Sequence, residues 1–207
     1  MTLFLASSLQ NTISILAMKA PKVGKGCQVM FIRNAADEVE EPWWVRSDRE
    51  AFTSLGCEIV DVDLRKTTKE EMRELLGRSE VIHFCGGSVL LLLSVLQKSG
   101  LAGVVVDAVR KGEIIYTGTS AGSMIAAKDV TLAQYDGGET EYLNLISDYR
   151  ALGLVNFMIL PHTNNPDIVA DNKKVMEHLA ENKTPLIFLN DDQAVFVEGE
   201  RFEILSV

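Results

Sequence analysis

Hydrophobic and polar positions along the chain follow two alternating patterns. Short apolar runs rich in β-branched residues occur at residues 3–6, 29–33, 59–64, 81–85, 114–118, 157–160 and 186–189. Runs of this length predict buried strands, and the stretches between them carry apolar residues at helical spacing. The alternation predicts a three-layer α/β/α sandwich, in which helices cover both faces of a mostly parallel central sheet.

Several predicted helices have recognisable ends. Thr68 and Glu71 form the pattern of a capping box, which predicts a helix start, and Gly77 predicts the end of that helix. The Asn-Pro pair at residues 165–166 predicts the start of a second helix, and Gly56 the end of a third.

The last part of the chain changes character. Residues 194–197 and 202–205 read as two strands joined by a turn at Gly199, and this β-hairpin is expected to add an antiparallel edge to the sheet. Residues 135–154 mix glycines with a weak helical pattern and are left unassigned. Because no linker or repeat interrupts the 207 residues, of which 47% are hydrophobic, we expect one domain over residues 1–207.

Charge and cysteine content exclude some classes of function. The formal net charge of −9 and the absence of any Lys/Arg cluster oppose a nucleic-acid partner. No apolar run approaches the ~20 residues of a membrane-spanning helix. Cys27, Cys57 and Cys85 lie within or beside apolar runs, so we expect buried free thiols and a reducing, cytoplasmic location.

Four predicted strands lead directly into reactive or glycine residues. The strand at 81–85 is followed by Gly86-Gly87, and those at 114–118, 157–160 and 186–189 are followed by Ser120, His162 and Asp191. Sites in doubly wound sheets form at the carboxyl ends of strands. We therefore expect these four points to share one edge of the sheet.

The segment Gly118-Thr119-Ser120-Ala121-Gly122 is the most specific of the four. A Gly-x-Ser-x-Gly sequence between a strand and a helix is the pattern of a nucleophile elbow, where the tight turn leaves no room for a Cβ at the glycines. Ser120 is therefore the candidate nucleophile. The backbone N–H of Ala121 and one N–H of the Gly86-Gly87 turn are the candidate oxyanion donors.

A serine nucleophile needs a base, and the chain has three histidines. His83 lies inside a predicted strand and is expected to be a core residue, while His178 is expected on the surface of a helix. His162 follows Pro161 at a strand end and remains as the candidate base. Two carboxylates, Asp191 and Asp192, follow the last buried strand, and Asp191 is the preferred third member of a Ser-His-Asp triad.

At these residues the chain resembles the peptidase E and cyanophycinase family of serine peptidases. The resemblance is carried by residues 31–36, Gly86-Gly87, the segment 118–123, Pro161-His162 and residues 189–194. It implies a fold like that of class I glutamine amidotransferases. It also implies hydrolysis of short peptides through an acyl-enzyme, with the order serine, histidine, acid along the chain and no metal or organic cofactor.

The chain also departs from the family's pattern. Ser88 stands where the family usually has Asn after its glycine turn, and Asp191 stands where peptidase E usually has Glu. Peptidase E looks for an N-terminal aspartate, so the resemblance implies dipeptides with an N-terminal Asp as one class of substrate. The sequence does not identify the residue that would recognise this aspartate, and Arg33, Arg46 and Arg150 are candidates only in the sense that a carboxylate needs a cation.

Other functions stay open at this point. A glutamine amidotransferase would use a thiol at the elbow, and Cys85 lies nearby in sequence but inside a strand. An amidase, an esterase or a non-catalytic binding module could share the same fold. The Trp43-Trp44 pair is consistent with a roof over a substrate cleft, a surface anchor or an interface. The sequence is compatible with a homodimer and does not fix the oligomeric state.

Overall fold

The computed structural model describes residues 1–179 and 184–207, and the side chains of residues 169–171 are not described. The strands are β1 (Thr2–Ala6), β2 (Gln28–Ile32), β3 (Glu58–Asp61), β4 (Val81–Phe84), β5 (Ile115–Thr119), β6 (Met158–Leu160), β7 (Leu186–Phe188), β8 (Gln193–Glu198) and β9 (Arg201–Ser206). The helices are α1 (Leu9–Lys19), α2 (Trp43–Ser54), α3 (Lys69–Arg78), α4 (Val89–Ser99), α5 (Ala102–Lys111), α6 (Ala121–Met124) and α7 (Val169–Glu177). Three 3-10 helices cover Asn34–Ala36, Thr131–Tyr135 and Gly137–Leu145.

Seven strands form the central sheet in the order β3-β2-β4-β5-β1-β8-β9. The first five pair in parallel, whereas β8 pairs antiparallel with β1 and with β9. The predicted C-terminal hairpin is confirmed, and its turn contains Gly199 with φ of 63°. It supplies the antiparallel edge of an otherwise parallel sheet.

Alternate residues of each strand face opposite sides of the sheet, and two buried clusters result. On one face, Leu3 and Leu5 of β1 pack with apolar residues of α3, α4 and α5. On the other, Phe4 and Ala6 pack with residues of α1 and α2. The mixed α/β architecture with helices on both faces is as predicted.

Some of the predicted helix ends are confirmed and others are wrong. Thr68 and Glu71 form the predicted capping box at the start of α3, and Gly56, with φ of 81°, follows the end of α2. However, α3 continues through Gly77 to Arg78. The predicted start of α7 at residues 165–166 is wrong, because the Asn165 side chain accepts a hydrogen bond from Asp167 N in an Asx turn and α7 begins at Val169.

Two predicted strands do not join the central sheet. β6 and β7 pair in parallel with each other in a separate two-stranded sheet. The expectation that all four strand ends share one edge of one sheet is therefore corrected: the site lies where the carboxyl ends of two sheets meet. Met158 and Leu160 of β6 pack in a third buried cluster with Val175 of α7.

Within the part of the chain that the structure describes, no single helix is both long enough and apolar enough to cross a membrane. The α4–α5 pair meets these two requirements together, by length and composition only, and the two helices are bent by 98° relative to each other.

Candidate active site

Three neighbouring strands of the central sheet bring their carboxyl ends together at one cavity. In the order β4-β5-β1, these ends are followed by Gly86, Ser120 and Ser7. The cavity has a volume of about 420 Å³, and its lining also includes His162 and Asp191, which follow β6 and β7. A cavity of this size is typical of a small-molecule site.

Ser120 occupies a strained turn between β5 and α6. Its φ of 50° and ψ of −112° are unusual for a residue with a side chain, and its N–H donates to Ala6 O at 3.0 Å. A Cβ at Gly122 would lie 1.9 Å from Phe84 O, so this position requires glycine. The backbone here has the form of a nucleophile elbow, which exposes the serine hydroxyl at the end of the sheet.

His162 is fixed by the carboxylate of Asp191. Its Nδ1 lies 2.5 Å from Asp191 Oδ1, and its backbone also has a positive φ, of 61°. A proton on Nδ1 shared with the carboxylate leaves the lone pair on Nε2, which is the tautomer that a general base needs. Among the described residues, no hydrogen bond joins the neighbouring Asp192 side chain to His162.

The candidate nucleophile and the candidate base are brought to the same cavity. Ser120 and His162 both line it, but no hydrogen bond joins their side chains among the described residues. Such a bond is often long in a site without substrate and shortens when the substrate binds. The two side chains therefore line the same cavity without a hydrogen bond between them.

Ser7, which the sequence analysis did not identify, connects the acid to the base. Its hydroxyl donates to Asp191 Oδ1 at 2.8 Å and accepts from the backbone N–H of His162 at 2.8 Å. Ser7 is completely buried. Ser7 directly follows β1, which lies beside β5 in the sheet. This position at a strand end is the signal by which it could have been identified.

Further hydrogen bonds tie the loop of His162 to the loop of Asp191. Thr163 Oγ1 donates to Asn190 Oδ1 at 2.9 Å, and Asp191 N donates to Asn164 Oδ1 at 3.0 Å. These contacts hold the two loops in one arrangement, although 29 residues separate His162 from Asp191.

The glycine turn after β4 lies against the candidate nucleophile. A Cβ at Gly86 would come 3.3 Å from Ser120 Cβ, and one at Gly87, where φ is 139°, would lie 2.2 Å from Ala35 O. Ala121 N–H at the start of α6 and Gly87 N–H have no acceptor among the described residues. Both are available to an oxyanion formed at Ser120.

Trp44 connects α2 to this turn. Its Nε1 donates to Gly86 O at 3.1 Å, and its ring meets that of Trp43 edge to face at a centroid distance of 5.9 Å. Both tryptophans line the cavity, and Trp43 is 66% exposed.

Two other residues considered from the sequence, His83 and Cys85, belong to the core. His83 is fully buried, with Nε2 3.1 Å from Asp48 Oδ2 and Nδ1 3.0 Å from Thr117 Oγ1. Asp48, His83 and Cys85 place three donor atoms within 4.8 Å of one another, which is the spacing of a metal site, but both nitrogens of His83 already have partners. Burial raises the pKa of the Cys85 thiol well above its ordinary value, which disfavours the thiolate, and the residue is fully buried and does not line the cavity. All three cysteines are free and buried, as predicted.

Residues 3–205 match the model of peptidase family S51. The chain is 29% identical over 198 residues to an uncharacterized peptidase of Pasteurella multocida, covering 96% of this chain and 94% of that protein. It is 32% identical over 134 residues to a peptidase E of Streptomyces coelicolor, covering 61% of this chain and 52% of that protein. A crystal structure of a peptidase E-type protein from Listeria monocytogenes superposes with a TM-score of 0.88 at 25% identity, covering 100% and 98% of the two chains.

Proposed function

The chain belongs to peptidase family S51 and is a serine peptidase, and on that premise we propose that it hydrolyses short peptides through an acyl-enzyme formed on Ser120. In this proposal His162 is the general base, Asp191 orients His162, and Ala121 N–H with the Gly86-Gly87 turn binds the oxyanion. The observation that carries the proposal is the 2.5 Å contact between His162 Nδ1 and Asp191 Oδ1, in a cavity that Ser120 also lines.

The reaction has two halves, formation of the acyl-enzyme and its hydrolysis, and His162 accepts and returns one proton in each. Ser120 Oγ attacks the carbonyl carbon while its proton moves to His162 Nε2, and the negative oxygen forms against Ala121 N–H and Gly87 N–H. The C–N bond then breaks, and His162 returns the proton to the leaving amine. Water, deprotonated by His162, attacks the ester carbon and releases Ser120 with its proton.

Two features support serine rather than cysteine chemistry. Ser120 stands at the elbow, and the nearest thiol in sequence to the glycine turn, Cys85, is buried. A glutamine amidotransferase would need a reactive thiolate at the elbow. No observation in the cavity therefore favours the amidotransferase hypothesis over the peptidase.

The test is covalent labelling joined to peptide hydrolysis. We expect a fluorophosphonate probe to label the wild type on Ser120, and Ser120→Ala to lose both labelling and hydrolysis of a mixed short-peptide library. Ser54→Ala, at the exposed end of α2, removes a hydroxyl far from the cavity and should behave as the wild type. A Ser120→Ala protein that still hydrolyses peptides at the wild-type rate would end the proposal.

We also propose that the enzyme works in the cytoplasm. The support is chemical: three thiols are present, they are free and buried, and structural cysteines of secreted proteins are ordinarily joined in disulfides. Fractionation of cells that express the tagged protein tests this location.

A further inference from the structure

Two of the three cysteines lie side by side in the central sheet. Cys27 directly precedes β2, and Cys57 directly precedes β3. These strands pair in parallel with Gln28 opposite Glu58, so the two cysteines stand opposite each other one position earlier, where Glu58 N donates to Cys27 O at 2.8 Å. Neighbouring strands lie about 4.7–4.9 Å apart. That spacing is within the range of about 4.4–6.8 Å between Cα atoms that a disulfide requires.

The two thiols also face the same side of the sheet. Residues two apart along a strand share a face, and both cysteines belong to the buried cluster that contains Val29 and contacts Ile59. The thiols are in hydrogen-bond contact. This contact lowers the pKa of Cys27 below its ordinary value and, together with burial, raises the pKa of Cys57. The thiolate, which is the form that oxidants attack, is therefore favoured at Cys27.

The Cys27–Cys57 pair lies just beneath the surface, at the amino ends of the two strands. Cys27 is 4% exposed and Cys57 is 7% exposed. The residues immediately before them, Gly26 and Gly56, are exposed and are joined by a backbone hydrogen bond of 2.9 Å. Local opening of the turns that contain these glycines is enough to admit a small oxidant, without unfolding of the sheet.

Cys85 provides the internal contrast. It is fully buried and directly follows β4. Because β2, β3 and β4 run parallel, Cys85 lies at the opposite end of the sheet from the other two cysteines. Neither of those thiols is therefore within reach of Cys85.

We propose that Cys27 and Cys57 are a redox-modification site, at which an oxidant of the peroxide class joins the two thiols in a reversible disulfide between β2 and β3. The Cys27 thiolate attacks a peroxide oxygen and breaks the O–O bond, which gives a sulfenic acid and hydroxide. The sulfur of Cys57 then attacks the sulfenic sulfur, and the S–O bond breaks. The two thiol protons leave in two water molecules, and two electrons pass from the sulfurs to the peroxide. A dithiol reductant reverses the step by exchange.

The expected effect of this disulfide is a more stable fold. It closes the segment 27–57, which contains β2 and α2, and a cross-link stabilises a fold mainly by restricting the unfolded chain. In reducing compartments such bonds are ordinarily transient and redox-sensing. The inference is independent of the proposed function, because Ser120 lies beyond the carboxyl end of β5, at the opposite end of the sheet from the pair.

The test uses the reduced full-length chain, treated with hydrogen peroxide, denatured and alkylated with N-ethylmaleimide. We expect the number of alkylated cysteines to fall from three to one, which is Cys85, and peptide mapping to find Cys27 joined to Cys57 within one chain. Dithiothreitol should restore all three. Three alkylated cysteines after peroxide, sulfinic acid at Cys27 without a disulfide, or a bridge between two chains would each overturn the proposal.

A pair of variants tests the cause. Cys57→Ala leaves Cys27 without a partner, so peroxide should give a sulfenic acid at Cys27 that dimedone traps, and no disulfide. Cys85→Ala, which removes the other buried thiol, should form the disulfide at the wild-type rate. Loss of the disulfide in both variants would contradict the role given to the pair.

Thermal unfolding measures the effect on stability. The oxidised wild type should have a Tm about 5 °C or more above that of the reduced protein, and peroxide should not raise the Tm of Cys57→Ala. An oxidised wild type with an equal or lower Tm would overturn the stabilising effect. None of these measurements uses a peptide substrate, so failure here leaves the reaction at Ser120 untouched, and failure of Ser120 labelling leaves this inference standing.

Discussion

Ser120 and His162 are the two residues with a side chain that have a positive φ among the described residues: φ is 50° at Ser120 and 61° at His162. Such positions cost about 1–3 kcal/mol each and persist only where surrounding contacts enforce them. Ser120 N is held by Ala6 O, and His162 N by Ser7 Oγ. Both enforcing contacts come from the end of β1.

The strain at Ser120 predicts a gain in stability on replacement by glycine. Ser120→Gly should be about 1 kcal/mol more stable than Ser120→Ala, because glycine adopts a positive φ without a Cβ clash. The free energy gained by relieving this strain exceeds the cost of glycine's greater entropy in the unfolded chain. Urea unfolding of the two inactive proteins measures the difference. At Ser54, in the last turn of α2, the same comparison should have the opposite sign.

Asp191 and Asp192 provide a matched pair for the triad acid. Asp191→Asn should lower kcat about 10³- to 10⁴-fold, because an amide cannot fix the imidazole tautomer in the same way. Asp192→Asn should retain activity within about twofold, since its exposed side chain does not contact His162. A larger loss at Asp192 than at Asp191 would contradict the assignment.

Ser7 is predicted to act as a positioning residue. Ser7→Ala removes the hydroxyl that bridges Asp191 Oδ1 and His162 N. We expect a lower kcat with KM little changed, together with a loss of about 1–2 kcal/mol in unfolding free energy. Ser7→Thr, which keeps the hydroxyl, should recover most of kcat. A change in KM alone, or no recovery by Thr, would argue against positioning.

Two glycines should respond to alanine in opposite ways. At Gly122 a Cβ would lie 1.9 Å from Phe84 O, so Gly122→Ala should unfold the elbow and yield little soluble protein. At Gly77, inside α3, no atom lies within 4 Å of the position that an alanine methyl group would occupy. Gly77→Ala should therefore raise the unfolding free energy by about 0.5–1 kcal/mol, measured by urea titration.

Glu139 gives the fold a dependence on pH. Burial raises the pKa of its carboxyl above the ordinary 4.5, despite opposing hydrogen bonds from Ser88, Leu90 and Val89. The folded state therefore binds this proton more tightly than the unfolded state. The group's stabilising contribution is complete below pH 4.5 and is lost as pH rises through the folded-state pKa.

The corresponding measurement is the difference in unfolding free energy between the wild type and Glu139→Gln. Taken between about pH 4 and about pH 8, this difference should shrink as pH rises. A difference that grows with pH would show that the carboxylate, rather than the protonated acid, is the stabilising form.

The sequence was sufficient for the strands of the central sheet, and Ser120, His162 and Asp191 could be chosen as candidates because each stands just beyond a short apolar run. It was not sufficient to find Ser7. A serine beside another serine at the start of a helix reads as an ordinary cap, and its contacts are with residues more than 150 positions away. Long-range partners of this kind leave no mark on local spacing.

Sheet membership is a second limit. The apolar runs at β6 and β7 predict strands correctly, but an apolar run does not indicate which other strand it pairs with. Among the described residues, these two strands pair only with each other. Glu139 was missed for a related reason. It lies in the 3-10 helix at Gly137–Leu145, where the sequence has no clear period, and only the fold brings it to the start of α4.

The position of the tryptophans allows intrinsic fluorescence to report on the cavity. The chain has two of them, both lining the cavity, and the indole N–H of Trp44 donates to Gly86 O beside the nucleophile. Intrinsic indole emission therefore originates entirely from this one place. A peptide that displaces water from the indoles will change the wavelength and intensity of that emission, so substrate occupancy can be followed in real time without attaching a dye.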